Sequence, residues 1–296
     1  MSEWISRLAP TPSGFLHLGN ACNFVLCWAI IRSKRGRLRL RIDDLDAQRL
    51  RPEYLDDIFF TLDWLGLDWD DGPTSVGEHQ HMFSQQLRIP LYKQVVQQLW
   101  ESGLAFGCRC SRKEIAANSL DGQYPGSCRS LGLASDAEGT ATRIKIPEGH
   151  RISWNDQLSG AVDVSLYQRM RDFVINRKDG LPAYQIASLV DDLAFGTNLI
   201  VRGEDLMDST AAQLFLARQL NASAFLQIQW HHHPLLLTSA GHKLSKSKGA
   251  MAVRTYRQNK QSSALVYRQV GQWLGLSPVE SPSQLLEQLT DNKRFS

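Results

Sequence analysis

No stretch of this 296-residue chain offers about eighteen uninterrupted apolar residues, which excludes a membrane-spanning helix on hydropathy. Met1 to Pro10 lack the positive start and long apolar run of a secretory leader, so a cytoplasmic protein is expected. Cysteine is scarce and odd in number, five in all, which argues against a disulfide framework. Internal repeats and low-complexity tracts are missing too. Acid is absent from Gly241 to Val279, where Lys243, Lys246, Lys248, Arg254, Arg257, Lys260 and Arg268 supply seven cations. Such a stretch suits a phosphate backbone, with binding that weakens as salt is raised. Elsewhere the charge is mixed, the net value is only +3, and 43% hydrophobic residues provide for a sizeable core.

What is present begins with a turn and a helix. Ile5 to Ala9 read as a short strand, broken by the prolines and Gly14 of Pro10-Thr11-Pro12-Ser13-Gly14. His17-Leu18-Gly19-Asn20 then opens an apolar helix over 20–35, with Asn20 as its expected cap and Gly36 as its stop. Backbone N–H groups at a helix start attract anions, and His17 with Gly19 before it suits phosphate. A second segment, Lys243-Leu244-Ser245-Lys246-Ser247, alternates flexible point charges with hydroxyls, a composition that also suits phosphate oxygens.

Between these segments the chain alternates strand and helix. Charge alternates with Leu38, Leu40 and Ile42 at strand period from Arg37 to Ile42. Asp43, Asp44 and Asp46 follow at the strand's C-terminal edge, where carboxylates face the ligand crevice of a parallel sheet. Helices are predicted at 52–65, closed by Gly66, and at 84–102, and from Ser209 to Leu220 with Ser209 as cap. His231-His232-His233 resemble a metal cluster, but consecutive strand residues point to opposite faces, so a strand is the better reading. Cys22 and Cys27 suit a helix core. Cys108, Cys110 and Cys128 form a zinc arrangement in need of a fourth ligand, with His79, His81 and His150 distant in sequence.

The pattern implies an α/β chain. A doubly wound, parallel-sheet nucleotide-binding domain runs through 1–102 and resumes over 173–250, through strands at Phe173 to Ile175 and Ile200 to Arg202. An inserted subdomain occupies 103–172, with strands at Thr142 to Ile146 and Gly160 to Val164. A short tail, helical from about 260 to 274, spans 251–296.

The two phosphate-type segments together resemble the paired ATP motifs of class I aminoacyl-tRNA synthetases, whose catalytic domain is Rossmann-like. Arg7-Leu8-Ala9-Pro10-Thr11-Pro12-Ser13-Gly14, Arg41-Ile42-Asp43-Asp44-Leu45-Asp46 and Ile200-Val201-Arg202-Gly203-Glu204-Asp205 are similar to the motifs of the glutamyl branch. The likeness runs from about residue 5 to 250. Only 47 residues follow Gly249, too few for an anticodon-binding domain, so the chain most resembles the short members of that branch, which attach glutamate to queuosine in the anticodon of tRNA(Asp).

The resemblance implies ATP-dependent activation of L-glutamate, with Mg2+ on the phosphates, followed by acyl transfer. It implies catalytic roles for His17 and Lys246 and ATP contacts from His17, Gly19, Asn20, Lys243, Ser245, Lys246 and Ser247. Glutamate contacts fall to Arg7, Leu8, Ala9, Pro10, Thr11, Asp43, Tyr184 and Arg202. It supplies Tyr124, four residues before Cys128, as the fourth ligand of one structural zinc with Cys108 and Cys110. The partners it implies are glutamate, ATP and queuosine-bearing tRNA(Asp), for a monomer without membrane contact. A truncated glutamyl-tRNA synthetase charging a 3′ end and a non-catalytic tRNA-binding paralogue are the alternatives. Two departures stand out: Asp43 is one methylene shorter than the glutamate the family carries there, and Arg202-Gly203-Glu204-Asp205 looks more like the full-length glutamyl enzymes.

Overall fold

The computed structural model describes residues 3–119, 121–134, 137–236 and 251–291. Its first unit is a strand–helix–strand crossover. Strand β1 (Ile5–Leu8) leads through helix α1 (Leu18–Ser33) to β2 (Arg37–Leu40), which pairs in parallel with β1 from Ile5 opposite Arg37 to Leu8 opposite Leu40. Helix α1 is apolar on every side, and ten of its residues between Ala21 and Ile31 are buried. Two neighbours account for that: the strands cover one face, and the helices Ala264–Leu274 and Pro282–Asp291 cover another, so the tail shares the core of the first unit. Helix α2 (Pro52–Leu65) follows, with proline in its first turn and Gly66 in the left-handed conformation closing it, as its sequence predicts.

Strands β3 (Ala105–Cys108), β4 (Ala141–Ile144), β5 (Arg151–Asp156), β6 (Gly160–Ser165), β7 (Val174–Asn176), β8 (Leu199–Gly203) and β9 (Gln229–His233) make two further sheets, ordered β3-β4-β7 and β6-β5-β9-β8. β8 and β9 are parallel, from Leu199 opposite Gln229 to Gly203 opposite His233. Asn198 joins β1 to the start of β8: its amide donates to Ile5 O at 3.0 Å and its Oδ1 accepts from Ile5 N at 2.8 Å.

Strand pairing departs from the sequence reading at two places. β7 does not resume the parallel sheet at 173 but lies antiparallel to β4, with Thr142 opposite Asn176. The hairpin β5–β6, from the stretch read as an insertion, joins the parallel sheet through Asp156 opposite Trp230. A three-residue strand carries too little periodicity to name its partner; Ile144, Phe173 and Ile175 settle it by sharing one apolar cluster with Ile152 and Trp230. Helix starts shift as well. Met207–Gln219 begins two residues before Ser209 as the continuation of a 3-10 turn, Glu204–Leu206, so Ser209 does not cap it. Cys22 and Cys27 are fully buried, and the three consecutive histidines are the last three residues of β9.

Candidate active site

The start of α1 is built by its own side chains. His17, not Asn20, is the N-cap: its Nδ1 accepts from Asn20 N at 3.3 Å, while Asn20 Oδ1 accepts from His17 N at 3.0 Å. A reciprocal cap of this kind contributes about 1 kcal/mol. Because Nδ1 accepts, the neutral ring carries its proton on Nε2. Gly19 has a steric reason: a Cβ there would lie 3.1 Å from the His17 ring.

His17, Gly19 and Asn20 line one end of a cavity of about 440 Å³, whose wall continues through Asn23, His233 and Trp273. Trp273 comes from the tail and stacks on His233 at 4.6 Å, and His233 Nε2 lies 3.1 Å from Asn23 Oδ1. Arg7, Ala9, Pro10 and Thr11 line the same cavity, as do Asp43, Tyr184 and Arg202. Leu8 does not: strand alternation turns its side chain into the core, fully buried. Lys243, Ser245, Lys246 and Ser247 lie outside the described residues. The flanks of that segment are at the cavity: Leu235 and Leu236 line it, and Ala252 pairs with His17 while Val253 N donates to Leu16 O at 2.8 Å.

Beneath the cavity lies a buried charge lattice. Asp192 Oδ1 accepts from Arg7 Nε and Arg41 Nη1, both at 2.8 Å. Arg41 also grips Asp43 with two bonds, 2.7 and 3.0 Å long. Asp191 takes two bonds of 2.8 Å from Arg88 and one of 2.7 Å from the Tyr92 hydroxyl. Burial works against the ionised Asp192, but Arg7 and Arg41 outweigh it and hold its carboxyl below the usual range. For Asp43 burial wins over Arg41, and its carboxyl is raised. Asp191 and Asp192 were missed in the sequence, although an adjacent acid pair inside the apolar helix Tyr184–Ala194 is a readable sign of buried partners.

A separate knuckle gathers Cys108, Cys110 and Cys128, whose sulfurs lie within 4.8 Å of one another. The Tyr124 hydroxyl accepts from Cys128 N at 2.7 Å, which sets its oxygen among the thiols. Burial, with the neighbouring thiols, pushes Cys110 up to about 12, and burial raises Tyr124 further still. Cys110 and Tyr124 thus resist ionisation on their own, whereas hydrogen bonds from its neighbours lower Cys128 against the effect of burial; three sulfurs and a phenol oxygen gathered this closely are a donor set that fits a zinc ion. Part of the basic stretch from 251 onward is already neutralised: Arg257 pairs with Asp57, and Arg268 with Glu280 at 2.8 Å.

A family model for the catalytic domain of class I tRNA synthetases (E and Q) matches residues 5–288. The glutamyl-Q tRNA(Asp) synthetase of Pseudomonas putida (strain W619) is 42% identical over 246 residues, 83% of this chain and 78% of that protein. The chain belongs to this family. Its counterpart in Nitratidesulfovibrio vulgaris is 36% identical over 287 residues and extends the match to 92% of the chain and 86% of that protein. Among solved structures, a glutamate tRNA ligase from Elizabethkingia meningosepticum in complex with its amino acid superposes with a TM-score of 0.73 at 22% identity. It covers 97% of this chain, which spans 64% of that ligase, and it shows the class I fold. Among the described residues no helix is long and apolar enough to cross a membrane.

Proposed function

We propose that this member of the glutamyl-Q tRNA(Asp) synthetase family is a ligase that activates L-glutamate with ATP and transfers it to queuosine in the anticodon of tRNA(Asp). One observation carries the reading: residues suited to a dicarboxylic amino acid and residues suited to a phosphate chain line a single cavity. A glutamate carboxylate oxygen attacks the α-phosphorus of ATP and the bond from that phosphorus to the α,β-bridging oxygen breaks, giving glutamyl-adenylate and pyrophosphate. Arg7 and Arg202 meet the carboxylates, Tyr184 adds a hydroxyl, Asp43 meets the ammonium, and Ala9, Pro10 and Thr11 shape the strand edge along which the amino acid lies. His17 directs its Nε2–H toward the phosphates, beside Gly19 and Asn20 at the helix start. Lys246, with Lys243, Ser245 and Ser247, meets the charge that develops on pyrophosphate. Mg2+, when bound, neutralises phosphate charge.

The zinc proposal rests on Cys108, Cys110, Tyr124 and Cys128, which would hold one structural ion. Five free thiols suit a reducing compartment, and we place the protein in the cytoplasm on that ground. Glutamate-dependent exchange of pyrophosphate into ATP without added tRNA tests the activation step. Exchange with glutamate alone among the amino acids is expected; no exchange with any amino acid would leave only a tRNA-binding role.

A further inference from the structure

Arg202 reaches the cavity held from behind. Its Nη2 donates to Thr210 Oγ1 and, at 3.0 Å, to Gln213 Oε1; its Nε faces His232 Nε2 at 3.4 Å; and the Trp230 ring lies 4.7 Å from its guanidinium carbon. The residue is 3% exposed and has the Tyr184 hydroxyl beside it, yet its buried Nη1 makes no hydrogen bond of good geometry among the described residues. A buried cationic N–H at a cavity wall calls for a ligand oxygen.

The anchor behind Arg202 depends on where the His232 ring carries its proton. Nδ1 lies 2.6 Å from Asp156 Oδ2, and an ionised carboxylate only accepts, so the proton sits on Nδ1. Nε2 is left with its lone pair, toward Arg202 Nε and, at 2.7 Å, the Thr210 hydroxyl. Burial opposes ionisation of Asp156, but His232 and the amides of Ser159 and His232 outweigh it; burial likewise keeps His232 neutral. Asp156 belongs to the hairpin β5–β6 and does not line the cavity; its other oxygen accepts from Leu158 N at 3.0 Å and Ser159 N at 2.9 Å.

We propose that Asp156 and His232 are positioning residues for glutamate: the carboxylate fixes the imidazole tautomer, and the imidazole lone pair fixes the edge of Arg202 that meets the substrate carboxylate. The proposal rests on the glutamate-activating reading above. With the opposite tautomer an N–H would face the guanidinium N–H, and the planar fork would turn away. A carboxylate needs that fork in both position and direction.

Asp156→Asn separates this role from a structural one. Its amide oxygen still accepts from the turn, while its NH2 donates to His232 Nδ1 and drives the ring proton to Nε2. In pyrophosphate exchange the KM for glutamate should rise about ten- to a hundred-fold, the loss of one charge-assisted hydrogen bond, with the KM for ATP unchanged. Nitrogen-15 spectra of the His232 ring should show its N–H move from Nδ1 to Nε2. His232→Gln, whose amide oxygen replaces the Nε2 lone pair, should keep the glutamate KM, whereas His232→Leu should lose it; this pair serves if Asp156→Asn fails to fold. A moved ring proton with an unchanged glutamate KM overturns the proposal, and so do equal rises in both KM values, or equal losses in the Gln and Leu variants. Absence of glutamate-dependent exchange in the unsubstituted chain refutes the activation reading itself, and the proposal with it.

Discussion

Under the cavity, Arg7, Arg41 and Arg88 are met by Asp43, Asp191 and Asp192, all from the same chain and all within hydrogen-bond reach. Beside Cys108, Cys110 and Cys128, Arg143 lies 4.0 Å from the Tyr124 ring, over its face, and Lys178 Nζ donates to the carbonyl of Arg109. The lattice therefore balances its own charge, so that Arg7 stands in place before any ligand arrives. The knuckle holds its donors close, and on the zinc proposal the ion supplies the balancing charge. Its apolar support is also slight, a cluster of Phe106, Cys108, Tyr124 and Cys128 apart from the two main cores. One region is ordered by folding; the other, on the zinc proposal, is ordered by folding and metal together.

The largest expected effect breaks the lattice. Asp192→Ala leaves Arg7 and Arg41 buried without their shared partner, and urea unfolding should show a loss of about 3–5 kcal/mol. A loss below about 1 kcal/mol, the scale of an exposed pair, would mean that water reaches the lattice. The knuckle should respond differently. Elemental analysis should find one zinc per chain, absent in Cys110→Ser, and a chelator should expose the region to protease while the main unfolding transition persists. Loss of both at once would make the knuckle part of the global core.

The smallest effect is the pH dependence. Asp44, Asp156 and Asp192 lie below the ordinary 3.8: burial opposes each, and His79 with Ser84, His232, and Arg7 with Arg41 outweigh it. Acids depressed in the fold contribute stability that is present above that value and lost as pH falls through the lowered ones. Asp43, Asp57 and Asp172 are raised by burial and act in the opposite sense, losing stability as pH rises through their range. Stability should thus climb as pH rises toward about 4 and fall back above it as the raised acids ionise. A flat or falling profile below pH 4 would contradict the depressed group, and Asp44→Asn should reduce the slope there.

Much of this contrast is legible along the sequence. Pro52 to Gly66 carries its own start and stop, and the Leu-Arg alternation of β2 shows which side is buried. The motifs of the cavity are short and local, and most of the described residues they offer as ligand contacts do line it. Leu8 is misread because a motif treats neighbours alike, whereas a strand sends them to opposite faces. Asn20 as a cap is misread because the histidine ring of His17 does that work. The pairing of β7, the stacking of Trp273 on His233 and the contact between Asp156 and His232 join residues far apart in the chain. No local periodicity carries that information.

The measurement that bears most directly on the function is the transfer of labelled glutamate to purified tRNA(Asp), with and without queuosine, each trimmed of its terminal adenosine. The account predicts label on the trimmed, queuosine-bearing tRNA and none on its queuosine-free counterpart. Label that appears only when the 3′ end is intact would contradict it and mark the chain as a truncated tRNA-charging enzyme.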